Sequence, residues 1–169
     1  LLGQNVNGYH DTSEESAALY KDKDEYRASN EGFANMYRSK KRDLPGARFA
    51  DLLESIAVKY PDVRVRFTSP HPKDFPLEVF ETVSQYPSIC PALHLPVQSG
   101  STAVLQRMRR GYSREAFLEL VKSARETIPR VKISTDVIAG FCGETEAEHE
   151  ETISLFNEVQ FDQAFMYAY

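Results

Sequence analysis

The chain contains no tryptophan, only two cysteines, four histidines and eight glycines in 169 residues. Cys90 and Cys142 lie far apart. That excludes a disulfide framework and a four-cysteine metal site, and leaves two free thiols suited to a reducing compartment. No apolar run approaches the roughly 20 residues of a membrane-spanning helix, so no membrane contact is expected. Basic residues are also short: 20 Lys and Arg against 25 Asp and Glu leave a net charge of −5. A protein that gripped nucleic acid alone would cluster Lys and Arg on one face. An RNA partner would therefore take most of its phosphate contacts from another domain. Neither a P-loop nor a Ser-His-Asp constellation is legible.

What is present points to one α/β domain over residues 1–169. The chain opens in the strand-like Leu1-Leu2-Gly3 and ends in Phe165-Met166-Tyr167-Ala168-Tyr169. It reads as a fragment of a longer protein. Residues 10–46 are rich in charge, Ser, Asn and Tyr with little apolar periodicity, so they read as a solvated, disordered insertion or a partner-binding loop.

Beyond that insertion the pattern is regular. Phe49, Leu52, Leu53, Ile56 and Ala57 follow helical spacing. Residues 63–68 alternate with period two, as a strand does. Leu77, Phe80 and Val83 mark a short helix, and residues 92–97 a strand. Val104, Leu105 and Met108 predict another short helix. Ser113 caps a longer one carrying Phe117, Leu120, Val121 and Ala124. Residues 131–139 are a strand rich in β-branched residues. Thr145 and Glu148 form a capping box for the next helix, and a last strand begins near Gln163. Alternating strands and helices imply a parallel sheet with right-handed crossovers.

The strand faces separate a barrel from a doubly wound sheet. Arg64, Arg66 and Thr68 share one face of their strand, His94 and Gln98 one face of theirs, and Lys132, Ser134 and Asp136 one face of a third. The opposite faces hold Val63, Val65 and Phe67, then Leu93, Leu95 and Val97, then Val131, Ile133 and Val137. One polar and one apolar face suits a barrel with a polar lumen. The plainer alternative is a sheet with one solvated face.

Ligands of parallel sheets sit at the carboxyl ends of strands. Those ends carry Gly3-Gln4-Asn5, Thr68-Ser69-Pro70-His71-Pro72, Gln98-Ser99-Gly100-Ser101 and Gly140-Phe141-Cys142-Gly143-Glu144-Thr145. Gly100 permits close approach of a ligand, and Gln98 with the serines can bond a ribose or an amino acid. The alternative is a helix cap made by Ser99 or Ser101. The 140–145 run reads either as a ligand-binding loop or as a capped βα turn. Asp136 faces the lumen and needs a partner, either Arg64, Arg66 or Lys132, or a ligand hydroxyl or amine. His71 fits a base, a ligand or a turn residue. His94 fits a satisfied lumen histidine.

Taken in order, these motifs resemble the MiaB-type radical S-adenosylmethionine tRNA methylthiotransferases. The resemblance rests on residues 2–7, 66–72, 94–101 and 134–145, and on Met108-Arg109-Arg110-Gly111-Tyr112. The insertion, and Cys142 where bacterial members usually carry proline, resemble the animal, largely mitochondrial branch. A cytoplasmic location remains the alternative.

The resemblance implies a partial TIM-like barrel, about five parallel strands of a (β/α)6 radical SAM core with its first strand missing. It implies S-adenosyl-L-methionine and 4Fe-4S clusters as cofactors, the cluster cysteines lying in a CxxxCxxC loop outside this chain. Its activity would be methylthiolation of N6-isopentenyladenosine near the tRNA anticodon, with a tRNA substrate and an electron donor as partners. Carried over position by position, Gln4 and Asn5 sit where the methionine amino end is held. Gln98, Ser99 and Ser101 sit where ribose or carboxylate is held, and Ile138, Gly140 and Tyr167 near adenine. Asp136 and Arg66 are further lumen contacts. Alternatives are a sister methylthiotransferase for another tRNA adenosine or a ribosomal protein, and a non-catalytic binding protein that kept the barrel.

Overall fold

The computed structural model describes residues 1–21, 33 and 44–169. Its centre is a three-stranded parallel sheet of β3 (Ala92–His94), β4 (Lys132–Ala139) and β5 (Gln163–Ala168), in that order. β4 is the middle strand, paired with β3 on one side and β5 on the other, and its odd residues, Ile133, Thr135 and Val137, are buried. Its even residues, Ser134, Asp136 and Ile138, are only half-buried on the other face. The parallel register places Gln163, Phe165 and Tyr167 on that same face, opposite Ser134, Asp136 and Ile138.

Two extended segments continue the layer beyond β3. Val65 bridges Ile89 in parallel, its N–H reaching Ser88 O and its carbonyl taking the Cys90 N–H. Leu1 then lies against the far side of this segment: its amino group donates to Arg66 O and its carbonyl accepts from Thr68 N–H. The expected strand over residues 63–68 is thus an extended segment with one bridge. Arg64, Arg66 and Thr68 are exposed and Val65 and Phe67 buried, as the alternation predicts. Val63 departs from it, being 53% exposed below the first bridge.

The helices lie where the apolar spacing places them. These are α2 (Phe49–Lys59), α3 (Leu77–Gln85), α4 (Thr102–Arg107), α5 (Arg114–Thr127) and α6 (Glu146–Val159). Ser113 accepts from Ala116 N–H at the start of α5, and Thr145 with Glu148 closes a reciprocal box at the start of α6. One core joins Phe49, Leu53, Phe80, Leu93, Leu95, Phe117, Leu120, Ile133 and Leu155. Burial of that apolar surface, at roughly 25 cal/mol per Å², drives the packing.

The ends of the insertion are more ordered than its composition suggests. β1 (His10–Asp11) and β2 (Ala47–Arg48) pair antiparallel and close it at its base. α1 (Glu14–Leu19) follows β1, with Ser13 as its cap. Phe33 is buried, with its ring 5.4 Å from that of Tyr112. The remainder of the expected disordered stretch, residues 22–32 and 34–43, lies outside the described residues.

Candidate functional site

The carboxyl ends of β3 and β4 are shaped by a bulge. His94 pairs with Ser134, yet Gln98 pairs with Val137. Three residues of one strand therefore oppose two of the other, as in a β-bulge. Thr135 fills the irregularity. Its buried hydroxyl accepts from Val97 N–H at 3.1 Å and donates to Leu95 O at 2.8 Å. From the other side the Tyr112 hydroxyl donates to the carbonyls of Pro96 and Val97, at 3.1 and 3.0 Å. Burial pushes the Tyr112 phenol above its ordinary pKa, so it stays a donor. Gln98 emerges from the bulge at φ +72. Strict alternation from His94 to Gln98 therefore fails. The Gln98 amide has no hydrogen-bond partner among the described residues.

Asp136 has a partner, and it is neither an arginine nor Lys132. His94 bridges two β4 residues: Nε2 lies 3.1 Å from Asp136 Oδ2 and Nδ1 3.0 Å from Ser134 Oγ. The ring also stands edge-on to Phe165, 6.3 Å away. Lys132 instead pairs with Asp162 at 2.7 Å, on the turn into β5. Arg66 is exposed next to the residue that bridges Ile89, and its guanidinium makes no bond to Asp136.

Ser99 and Ser101 turn away from the sheet's open face. Both are buried. Ser99 Oγ accepts from Ser101 N–H and pairs with Thr152 Oγ1 of α6, whose hydroxyl also accepts from Gly100 N–H. Ser101 is the N-cap of α4 without making a cap bond. A Cβ on Gly100 would lie 2.6 Å from both Glu151 O and Thr152 Cα. The close approach that Gly100 allows is thus to the α6 backbone, not to a ligand.

After β4 the chain turns through Gly140 (φ +78) and Gly143 (φ +74), conformations glycine adopts without penalty. Glu144 folds back so that Oε2 accepts from the Gly140 and Phe141 N–H groups. Its Oε1 is buried with no partner. Space beside Gly140 is open: a Cβ there would meet nothing within 4 Å. Cys142 is exposed. Arg107 forks onto Glu148 at 2.8 and 2.9 Å.

This fork, with the Thr145 N–H, holds the Glu148 carboxyl at about 2, below its ordinary 4.5. A depressed carboxyl pKa stabilises the fold above the unfolded value and is lost as pH falls through the folded one. In an acid titration followed by far-UV circular dichroism, this part of the loss should fall between pH 4.5 and about 2. It should be missing from Glu148→Gln, and identical titrations of the two proteins would contradict the assignment.

The remaining residues separate into two groups. Ile138 and Tyr167 are register partners on the open face, Tyr167 exposed. Gln4 and Asn5 are exposed on the segment beside residues 66–69. Asn5 donates to Asp74 Oδ2 at 2.8 Å. Asn7, not singled out from sequence, clamps this segment: it accepts from His71 N–H and donates to the carbonyls of His71 and Asp74. His71 is a turn residue, capping the 3₁₀ turn Pro72–Asp74 through Nδ1.

No group of three or more His, Cys, Asp or Glu side chains among the described residues is placed to hold a metal ion. The two cysteines are also fewer than the three of a CxxxCxxC loop. The chain's own residues therefore do not fit a 4Fe-4S cluster. They do offer a polar organic ligand an open strand end beside Gly140 and an orphaned buried acceptor at Glu144, and the amide of Gln98, a residue only 8% exposed, is unpartnered among the described residues.

The Radical SAM superfamily model matches residues 8–156. The chain belongs to that superfamily. Over its whole length it is 51% identical to a CDK5RAP1-like protein of Oryza sativa subsp. japonica, covering 27% of that protein. It is 50% identical to the human mitochondrial tRNA methylthiotransferase CDK5RAP1, again covering 27%. It is 41% identical to the tRNA-2-methylthio-N(6)-dimethylallyladenosine synthase of Chlorobium luteolum, covering 31%. The chain thus spans less than a third of these relatives. Among solved structures, coproporphyrinogen III oxidase (HemN) of Escherichia coli matches 80% of the chain and 30% of its own, with TM-score 0.54 and 17% identity. That likeness extends to the fold alone, the TIM-like α/β architecture of radical SAM enzymes.

Proposed function

We propose that the whole protein containing this chain is a mitochondrial tRNA methylthiotransferase that methylthiolates N6-isopentenyladenosine near the anticodon. The chain would supply the face of a (β/α)6 partial barrel that holds S-adenosylmethionine. The carrying observation is the open carboxyl edge of the sheet. It combines the unpartnered Gln98 amide, the open ground beside Gly140 and the orphaned Glu144 Oε1. The chain is about half identical, end to end, to proteins named as mitochondrial tRNA methylthiotransferases.

Bound together, S-adenosylmethionine and a reduced 4Fe-4S cluster supply radical chemistry at a carbon–hydrogen bond. With only two cysteines in this chain, the cluster ligands belong to other parts of the whole protein. The chain's residues bind and orient. Gln98 offers one donor and one acceptor to a ribose or a carboxylate. Glu144 Oε1 accepts from a hydroxyl or amine. Ile138 and Tyr167 give an apolar flank for a purine. Asp136, held by His94, presents a fixed acceptor on the lumen face, and Gln4 and Asn5 reach the methionine amino end. Ser99 and Ser101 act indirectly by seating Gln98 against α6. Arg66, exposed, is a further lumen contact.

The test uses the full-length protein, purified without oxygen and reconstituted with iron and sulfide. It is incubated with S-adenosylmethionine, reductant and isopentenyladenosine-containing tRNA, and the nucleosides are analysed by mass spectrometry. The expected result is a methylthio mass shift on that nucleoside, cut about tenfold in a folded Gln98→Ala variant, the equivalent of about 1.4 kcal/mol. Absence of both the shift and 5′-deoxyadenosine, with clusters intact, would overturn the reading.

A further inference from the structure

Several basic side chains in the described residues are engaged locally. Arg107 forks onto Glu148, Arg114 reaches Glu158 and Lys132 reaches Asp162. Arg109 and Arg110 differ. Neither guanidinium has a partner among the described residues. They occupy the loop between α4 and α5, whose shape is fixed: Arg109 N–H donates to Gln106 O and Arg110 N–H to Leu105 O. Arg109 stands at φ +56, uncommon for a residue with a Cβ, and Gly111 follows at φ +73.

The loop's position is set by the next residue. Tyr112, buried, is bonded to the carbonyls of Pro96 and Val97 at the bulge. This pins the two arginines beside the carboxyl end of β3, at the mouth of the proposed site. The His71 ring lies 6.2 Å from Tyr112 on the neighbouring turn, which also carries Lys73. The carboxylates nearby are turned inward: Asp74 accepts from Asn5, Asp136 faces His94, and Glu144 Oε2 takes two backbone N–H groups. Among the described residues, Arg109 and Arg110 are thus basic groups there whose side chains have no carboxylate partner, on a chain of net charge −5.

We propose that Arg109 and Arg110 are a phosphate-contact site that docks the RNA backbone at the mouth of the lumen. The proposal rests on the tRNA reading above. A guanidinium fork matches phosphate geometry, and two neighbouring guanidinium groups without a carboxylate partner on an acidic body offer a polyanion one place to be held. The two contacts stand beside the larger share of phosphate contacts expected from another domain.

The experiment titrates full-length protein into a fluorescently labelled anticodon stem-loop RNA, with anisotropy read from about 50 to about 200 mM salt. Arg109→Glu with Arg110→Glu should raise Kd at least about tenfold. It should also flatten the slope of log K against log salt by roughly 1.4, at about 0.7 per contact. The pair Arg109→Gln with Arg110→Gln removes charge without adding repulsion, and should shift Kd and slope in the same directions. Arg130→Glu is the control. Arg130 is likewise exposed at φ +56, but it precedes β4 at the opposite end of the sheet. Its Kd should stay within about twofold of wild type. Thermal unfolding checks that each variant folds. Unchanged binding in the double variants, or an equal loss in Arg130→Glu, would overturn the proposal alone. Wild-type protein with no affinity for the stem-loop would overturn the tRNA reading and this proposal with it.

Discussion

Replacing Gly100 with alanine should destabilise the protein by about 2–3 kcal/mol, the upper range for overpacking a tight core. The new Cβ would sit 2.6 Å from Glu151 O and 2.6 Å from Thr152 Cα. Both are backbone atoms of α6, so relief requires moving the helix rather than rotating a side chain. Movement would also strain the bond from Gly100 N–H to Thr152 Oγ1 and the one from Arg114 to Gly100 O. In a domain of this size about 2–4 °C of Tm accompanies each kcal/mol, so a drop of roughly 4–12 °C is expected in thermal unfolding. Gly143→Ala is the comparison. Its Cβ would meet nothing within 4 Å, although φ is +74. It should cost only the left-handed backbone strain, about 1–2 kcal/mol. If Gly100→Ala proves no worse than Gly143→Ala, the contact with α6 is not what excludes a side chain at position 100.

What sequence reveals here is what local physics determines. The periodicity of Phe117, Leu120, Val121 and Ala124 places α5, because a helix buries every third or fourth residue. Ser113, and Thr145 with Glu148, mark helix starts because capping is a local bond. Alternation along residues 131–139 separates the buried Ile133, Thr135 and Val137 from the half-buried Ser134, Asp136 and Ile138. The candidate site was less legible, since its content is tertiary. Nothing near Gly100 in the sequence announces that Thr152 will take its N–H, so Ser99 and Ser101 read as ligand contacts while they are buried against α6. Asp136 invites an arginine, but its partner His94 lies on the adjacent strand, and only the register brings the two together. The composition of residues 10–46 predicts disorder, yet Phe33 reaches the core beside Tyr112. One aromatic in a polar stretch leaves no periodic signal.

The bulge is the feature on which the site most depends, and Thr135→Val should expose that dependence. Valine matches the shape of threonine and lacks its hydroxyl. The substitution would leave Val97 N–H and Leu95 O without the bonds of 3.1 and 2.8 Å that Thr135 supplies. Thr135 is fully buried, so water cannot readily replace it. Each unsatisfied buried group costs about 1–3 kcal/mol, and the variant should lose roughly 2–4 kcal/mol in denaturant unfolding. Thr135→Ser keeps the hydroxyl and should lose much less, about the burial value of one methyl group, roughly 1 kcal/mol.

The functional consequence follows from register. The bulge pairs Gln98 with Val137 in place of Ile138, and a one-residue slip turns a strand's side chains to the opposite face. Without its Thr135 plug the segment can relax toward regular pairing, Gln98 opposite Ile138, and shift the Gln98 amide from the position that the bulge gives it. Affinity for S-adenosylmethionine, measured by equilibrium dialysis on reconstituted full-length protein, should then fall about tenfold in Thr135→Val, near 1.4 kcal/mol. In Thr135→Ser it should stay within about twofold. A valine variant that is destabilised yet binds S-adenosylmethionine as tightly as wild type would separate the bulge from ligand positioning. Gln98 would then owe its placement to the α6 contacts of Ser99 and Gly100.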